Sequence, residues 1–282
     1  MPTAVITGST GGIGEAVSAT LAADDWSLIL VNRSQTKAEQ QRDGLLETYP
    51  GLNIELIQTD LMDLEEVEAS CREIADLGTD IHALYCIAGV LTDQRRLSAQ
   101  DHESHYAVNV LANYVLMKSL GPLLVGDETD KGMIVTMSSS AIKGADLDIR
   151  ALSAPEKIGG LMGAYAQSKL AMTAMCARMA ADPQMAGAVI RAIDPGATKT
   201  PMTAGGDGMP FFIRWMVPFF FSDPEQQASK IVAAAEPHAF GGATGVFISG
   251  WQQKPLPKSI AEPAIQDELL AQIAKDCAIA KD

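Results

Sequence analysis

Residues 3–14 read TAVITGSTGGIG, and residues 15–25 continue EAVSATLAADD. The opening run is short, apolar and β-branched, which suits a strand buried in a parallel sheet. The second segment has the pattern of a helix, and a further apolar run, WSLILVN (26–32), follows it. Between strand and helix, Gly8, Gly12 and Gly14 permit a tight turn and bring backbone amides close to a pyrophosphate, while the helix N-terminus favours its negative charge. The spacing is Gly-x-x-x-Gly-x-Gly rather than the commoner Gly-x-Gly-x-x-Gly. A strand, glycine turn, helix and second strand in that order predict a dinucleotide site involving Gly8, Ser9, Thr10, Gly12, Ile13 and Gly14.

Working outward, short apolar runs alternate with helical patterns, the signature of a parallel sheet covered on both faces. Strands are expected at 3–7, 27–31, 53–58, 81–87, 132–137, 187–193 and 245–249. Helices are expected at 13–23, 35–48, 63–77, 98–125, 162–181 and 224–235. The predicted fold is α/β, a single Rossmann-type doubly wound domain with a seven-stranded parallel sheet flanked by helices. Residues 1–251 form the catalytic domain in this reading, with a substrate lid at 201–223. Residues 252–282 form a polar, Pro-punctuated tail with a short helix.

Tyr165 and Lys169 stand four apart in GAYAQSKLAM, so they share one face of the predicted helix. An isolated tyrosine titrates near about 10, and a cationic neighbour brings it toward the range useful for acid–base chemistry. Spacing alone is weak, because Tyr114 and Lys118 repeat it on a helix that reads as buried and structural. The difference is setting: the serine run Ser138-Ser139-Ser140 closes an apolar strand upstream of Tyr165. Strand alternation sends neighbouring serines to opposite faces.

These features together resemble the short-chain dehydrogenase/reductase family, over roughly residues 3–250 and with a likeness to its retinol dehydrogenase-like branch in the longer segment between Ser139 and Tyr165. The family's Thr-Gly-x-x-x-Gly-x-Gly turn matches Thr7 to Gly14. Its Asn-Ser-Tyr-Lys set matches Asn109, Ser139, Tyr165 and Lys169. The resemblance implies that Ser139 binds the substrate oxygen, with Ser138 disfavoured by alternation and Ser140 left open, and that Tyr165 exchanges the proton. Lys169 lowers the tyrosine pKa and holds the ribose, while Asn109 bends its helix and orients Lys169 through a water. Asn113, one turn on, is the rival to Asn109.

At the end of the second strand, Asn32-Arg33-Ser34 carries no acid to hold an adenosine ribose, and Arg33 can take a 2′-phosphate bidentately, so NADP(H) is preferred over NAD(H). Asp60 matches the family position that contacts adenine, beside Leu61; its plainer reading is a helix cap shared with Asp63. Cys86-Ile87-Ala88-Gly89 departs from the family's Asn-Asn-Ala-Gly but keeps Ala88 and Gly89 for close backbone approach. The loop after the sixth strand, with Pro195, Gly196, Thr198 and Thr200, resembles the family's Pro-Gly-x-x-x-Thr contact to the nicotinamide and diphosphate.

The 282 residues suffice for a sizeable core, and 20% charged against 47% apolar content is ordinary for an enzyme. A net charge of −14 argues against nucleic acid and anionic membrane as partners. Four scattered cysteines indicate neither a metal site nor a disulfide framework. The chain enters its first strand without an apolar leader, which makes a cytoplasmic setting the expectation. MPFFIRWMVPFFF (209–221) is too short to span a bilayer and reads as a lid over an apolar substrate, ahead of a subunit contact or a membrane-surface wedge. The expected partner is a small carbonyl or alcohol substrate, and the resemblance points toward a homodimer or homotetramer. A non-catalytic NADP-binding regulator and a C=C reductase using the same Tyr and Lys are the alternative functions.

Overall fold

The computed structural model describes residues 1–92, 94–126, 131–153, 161–198 and 222–278. The apolar runs become strands β1 (Thr3–Thr7), β2 (Ser27–Asn32), β3 (Ile54–Gln58), β4 (Ala83–Cys86), β5 (Gly132–Met137), β6 (Ala188–Asp194) and β7 (Val246–Ser249), all paired in parallel. β1, β2, β4, β5 and β6 are buried along their whole length, which is why they read as continuous rather than alternating apolar runs.

The spatial order is β3-β2-β1-β4-β5-β6-β7-β8. The chain winds outward one way from β1 to β3, then returns to place β4 on the other side of β1. A crevice opens at the carboxyl ends of β1 and β4, where the winding reverses, and this is where an open α/β sheet takes its ligand.

The expected seven-stranded parallel sheet needs one correction. An eighth strand, β8 (Gln252–Lys254), pairs antiparallel with β7. Its three residues are all exposed, so it shows no apolar pattern; Gly250 and Trp251, both at positive φ, turn the chain back onto the sheet edge.

Alternation along each strand feeds two cores. Val5, Ile29, Leu84 and Ile134 pack with α3 (Leu64–Asp76) and the helices on its side. Ala4, Ile6, Leu30 and Tyr85 pack with α1 (Gly12–Ala23) and the flanking helix Pro224–Ala235. α2 (Gln35–Thr48) starts at the Ser34 cap and covers the outer part of the α1 side.

The single helix expected over 98–125 is three pieces. α4 (Ser104–Tyr106) is capped by the Glu103 carboxylate, a π-helical turn covers Ala107–Leu111, and α5 (Ala112–Leu120) completes the rod. Residues before Ser104 lie outside it because Glu103 accepts the His105 and Tyr106 amides and so fixes the N-terminus. Asn113 Nδ2 donates to the Asn109 carbonyl at 2.9 Å, inside the widened turn.

α6 (Leu161–Met179) carries Tyr165 and Lys169. α7 (Pro224–Ala235) follows, then the one-turn α8 (Lys258–Ala261) and α9 (Pro263–Ala278). α9 is no loose tail. Leu269, Ile273 and Cys277 are buried in the core shared with α6, and Tyr106 donates to the buried Asp276 carboxylate at 2.9 Å. All four cysteines are buried and free. Among the described residues no helix is long and apolar enough to cross a membrane, and no cluster of His, Cys, Asp or Glu could hold a metal. The apolar run 209–221 and Thr200 lie outside the described residues.

Candidate active site

The glycine turn is held by packing from both sides. Gly8 sits at φ +68°, and a Cβ there would meet the Ala88 backbone at 2.8 Å. A Cβ on Gly14 would fall 2.2 Å from the Gly8 carbonyl oxygen, so the start of α1 can press onto the turn only as glycine. The Ala88 amide donates to the Thr7 carbonyl, at 3.1 Å, and to its hydroxyl, at 3.2 Å, which joins the ends of β1 and β4.

Asn32, at the end of β2, lines the cleft. Its side chain is 4% exposed and braces the turn: Nδ2 donates to Ser9 Oγ at 2.7 Å, and Oδ1 accepts from the Thr10 amide at 3.2 Å. Ser9 in turn donates to Gln41 Oε1, and Gln41 Nε2 donates to the Ser9 carbonyl. Asn32 thus braces the turn while lining the cleft beside Arg33. Ser34 is likewise occupied as the cap of α2, accepting from the Lys37 amide at 3.5 Å.

Arg33 is exposed at the end of β2, where no carboxylate pairs with it among the salt bridges of the described residues. Lys37, in the first turn of α2, lines the same end of the cleft. Sequence reading passed over Lys37; its only signal was a second cation four residues after Arg33, on the helix that the strand end opens. On the far rim, Asp60 does not cap α3: Asp63 does, accepting from the Glu65 amide at 3.0 Å. Asp60 Oδ1 instead accepts from the Met62 amide, which holds Asp60 and Leu61 along the cleft wall.

At the other end, β5 delivers three serines with three fates. Ser138 is 3% exposed and its hydroxyl pairs with Thr173 Oγ1 at 2.8 Å, turned into the α6 packing. Ser139 caps the following turn, accepting from the Ala141 amide at 3.2 Å, and its hydroxyl is close enough to the Tyr165 phenol to favour the phenolate. Ser140 is exposed. The alternation expected along the strand end therefore places Ser139 beside Tyr165.

Lys169 is 4% exposed; its Nζ donates to the Met137 carbonyl at 2.7 Å and lies 5.7 Å from the centre of the Tyr165 ring. Asn109, fully buried in the π turn, accepts from the Val90 amide at 2.9 Å and donates to the Val90 carbonyl at 3.2 Å and to Ser168 Oγ at 3.0 Å. Both side chains converge on Gly89: a Cβ there would lie 3.0 Å from Asn109 Oδ1 and 3.4 Å from Lys169 Nζ. Asn109 thus ties the segment after β4 to the turn of α6 that carries Lys169.

Electrostatics depart from the expected lowering of the tyrosine. Burial pushes the Tyr165 phenol above its ordinary range, with the Ser139 hydrogen bond pulling back and Asp194 adding an upward push. Burial also drives Lys169 down from 10.5 to about 8. The ammonium is spent on the Met137 carbonyl, and desolvation outweighs its pull on the ring. Tyr114 and Lys118, of identical spacing, part company: Lys118 is on the surface, donating to Gln184 at 2.7 Å and facing Asp182 at 3.4 Å.

In the loop after β6, Pro195 lines the cleft. Gly196, at φ +75°, donates its amide to Asp194 Oδ1 at 3.0 Å, and Thr198 Oγ1 donates to the Gly196 carbonyl at 3.2 Å. One cleft of about 530 Å³ runs from Arg33 and Lys37, past Gly8 to Gly14, Asp60, Leu61, Ala88 and Gly89, to Tyr165 and Lys169.

A doubly wound sheet with a glycine turn at its switch point and a tyrosine–lysine pair across the same cleft defines a nucleotide-binding oxidoreductase of Rossmann type. The chain belongs to the short-chain dehydrogenase family, whose sequence pattern matches residues 2–207. Among similar proteins, polyprenol dehydrogenase of Mus musculus is 26% identical over 258 residues, 87% of this chain and 74% of that one. Retinol dehydrogenase 13 of Homo sapiens is 24% identical over 263 residues, covering 91% and 79%. A short chain dehydrogenase from Burkholderia cenocepacia J2315, solved in complex with NADP, superposes with a TM-score of 0.68 at 22% identity over 87% of this chain and 94% of that one. A 3-ketoacyl-(acyl-carrier-protein) reductase from Brucella melitensis, complexed with NADH, gives 0.66 at 19% over 87% and 95%.

Proposed function

We propose that this oxidoreductase transfers hydride between NADP(H) and the carbonyl or secondary alcohol carbon of a small, hydrophobic substrate, with Tyr165 as general acid and base. The observation that carries this reading is the convergence of Ser139, Tyr165, Lys169 and Asn109 at the end of the cleft opposite the two cations Arg33 and Lys37. The residues fit a dinucleotide: glycines where a side chain would collide with backbone, exposed amides at the start of α1, and positive charge at the end of β2.

When bound, the nicotinamide supplies or accepts the hydride. In reduction, Ser139 donates to the substrate oxygen and Tyr165 protonates it as charge develops there. The raised phenol favours its protonated form, which suits that role. Lys169, held by the Met137 carbonyl, is placed to take ribose hydroxyls, and Asn109 keeps the β4 end and α6 in register. Arg33 and Lys37 favour a 2′-phosphate over a bare ribose. The run at 209–221 and the apolar alcohols named in the polyprenol and retinol dehydrogenases support a hydrophobic substrate.

NADPH consumption across a panel of aldehydes, ketones and quinones tests the reading. Tyr165→Phe abolishes turnover while NADPH affinity is largely kept; undiminished turnover sinks the assignment. Arg33→Ala weakens NADPH far more than NADH, and equal losses count against the phosphate contact.

A further inference from the structure

The segment His102 to Tyr106 is buried at every position, yet all five side chains are polar. His102 Nδ1 meets Ser153 Oγ at 2.7 Å, Glu103 caps α4, Ser104 donates to Glu103 Oε1, and Tyr106 donates to Asp276. The remaining residue, His105, has no exposed surface and faces the phenol ring of Tyr165.

Its two nitrogens meet partners of opposite character. Nδ1 lies 2.8 Å from Glu103 Oε1, and Nε2 accepts from the Thr92 backbone amide at 3.2 Å. Burial raises the Glu103 carboxyl, but hydrogen bonds from His105, Ser104 and the Tyr106 amide bring it below its ordinary value, so it stays a carboxylate. A carboxylate only accepts and an amide N–H only donates, so His105 is neutral, with its proton on Nδ1. Both bonds lie in the plane of the ring and fix its orientation. The imidazole stands edge-on to the Tyr165 ring, with centroids 6.3 Å apart and planes at 72°.

We propose that His105 is a positioning residue for proton transfer: clamped between Glu103 and the Thr92 amide, it fixes the Tyr165 ring and ties it to the segment that follows β4. This rests on the role of Tyr165 given above. A buried core histidine with no such role would need bonds on both nitrogens, but not a shared face with the one tyrosine that reaches Ser139. Among the described residues, Glu103, Lys169 and Asp194 are the titratable groups that bear on the pair, and of these Glu103 bonds His105 directly.

The test compares wild type with Tyr165→Phe, His105→Ala, His105→Asn and His105→Gln. The asparagine can keep the Glu103 bond and the glutamine the Thr92 bond, so these two carry the test if the alanine variant does not fold. The measurements are kcat, KM, NADPH affinity and the titration of Tyr165 in protein labelled with ¹³C-tyrosine. The expected result is a kcat loss of about tenfold or more, largest for alanine, with NADPH affinity within about twofold and the Tyr165 midpoint moved downward as water reaches the phenol. Unchanged kcat and an unchanged midpoint, with Tyr165→Phe inactive, overturn the proposal and leave the function standing. Full turnover in Tyr165→Phe overturns the function, and the proposal with it.

Discussion

Lys169→Met should make the protein more stable while removing its activity. The folded environment lowers the lysine from its ordinary 10.5 to about 8 by burial. At 1.4 kcal/mol per pH unit, holding the ammonium in the fold at pH 7 costs about 3 kcal/mol. Methionine has a similar stem and no charge, so it removes that cost. It also removes the 2.7 Å bond to the Met137 carbonyl, whose loss costs about 1–2 kcal/mol. The net gain is about 1–2 kcal/mol in unfolding free energy at pH 7, within a total of about 5–15 kcal/mol for a protein of this kind.

The sign follows from proton binding. Between about 8 and 10.5 the unfolded chain holds the lysine proton and the folded protein has released it, so stability rises with pH through that window. Buried thiols work the other way. Cys71 is raised to about 11, and Cys176 and Cys277 to about 12, so their contribution is present below the ordinary thiol value and is lost as pH rises. The difference between wild type and variant cancels Cys71 and Cys277, whereas Cys176, which the Lys169 charge lowers, titrates in the fold only above the range tested. Urea denaturation without cofactor at pH 7, 8, 9 and 10 should show the variant's advantage shrinking and then reversing, while its turnover is down by at least about a hundredfold. A variant less stable than wild type at pH 7, or a difference that stays constant from pH 7 to 10, refutes the reasoning.

Four further substitutions probe other parts of the structure. Ser139→Ala should lower kcat by about 10²-fold with the fold intact, whereas Ser138→Ala should keep kcat and lose about 1 kcal/mol of stability through the Thr173 bond, read by steady-state kinetics and thermal melts. Gly14→Ala drives a Cβ to 2.2 Å from the Gly8 carbonyl, so NADPH binding should fall sharply in a titration and stability by about 1–3 kcal/mol. Arg191→Met strips donors from the carbonyls of Ala234, Ala235, Glu236, Pro237, Ala239 and Ala243, which close the end of α7, and should cost about 3–5 kcal/mol in urea denaturation.

The parts of the site that depend on local chemistry were legible in the sequence. The glycine turn is one, because its φ values and its approach to a helix N-terminus follow from missing side chains at Gly8 and Gly14. The strand positions up to β7 are another, because buried parallel strands must be apolar on both faces. Tyr165 and Lys169 share a face by helix periodicity, whereas Ser139 was singled out by the family resemblance, strand alternation only setting Ser138 on the opposite face. The break at Asn109 was legible only through resemblance, since AVNVL carries no breaker and the π turn is secured by Asn113 and Val90.

Other features formed only when distant segments met. Nothing in VIRAID marks Arg191 as a buried cation, since its acceptors are backbone carbonyls more than forty residues away. The polar pattern of 252–278 showed a helix but hid both an edge strand and the docking of that helix, because β8 pairs through its backbone alone and α9 buries only a narrow stripe with Asp276 satisfied by Tyr106. The state of the central pair belongs here too. Sequence spacing set Lys169 beside Tyr165 and implied a lowered phenol, but burial under the β5 end decided the outcome, since desolvation acts on both groups at full strength while the lysine's charge is held at the Met137 carbonyl. Sequence by itself determined the fold and named the candidate reacting residues, because sterics and periodicity act over a few positions. Tertiary structure alone decided their protonation and their bracing, because dielectric and hydrogen-bond partners come from everything packed around them.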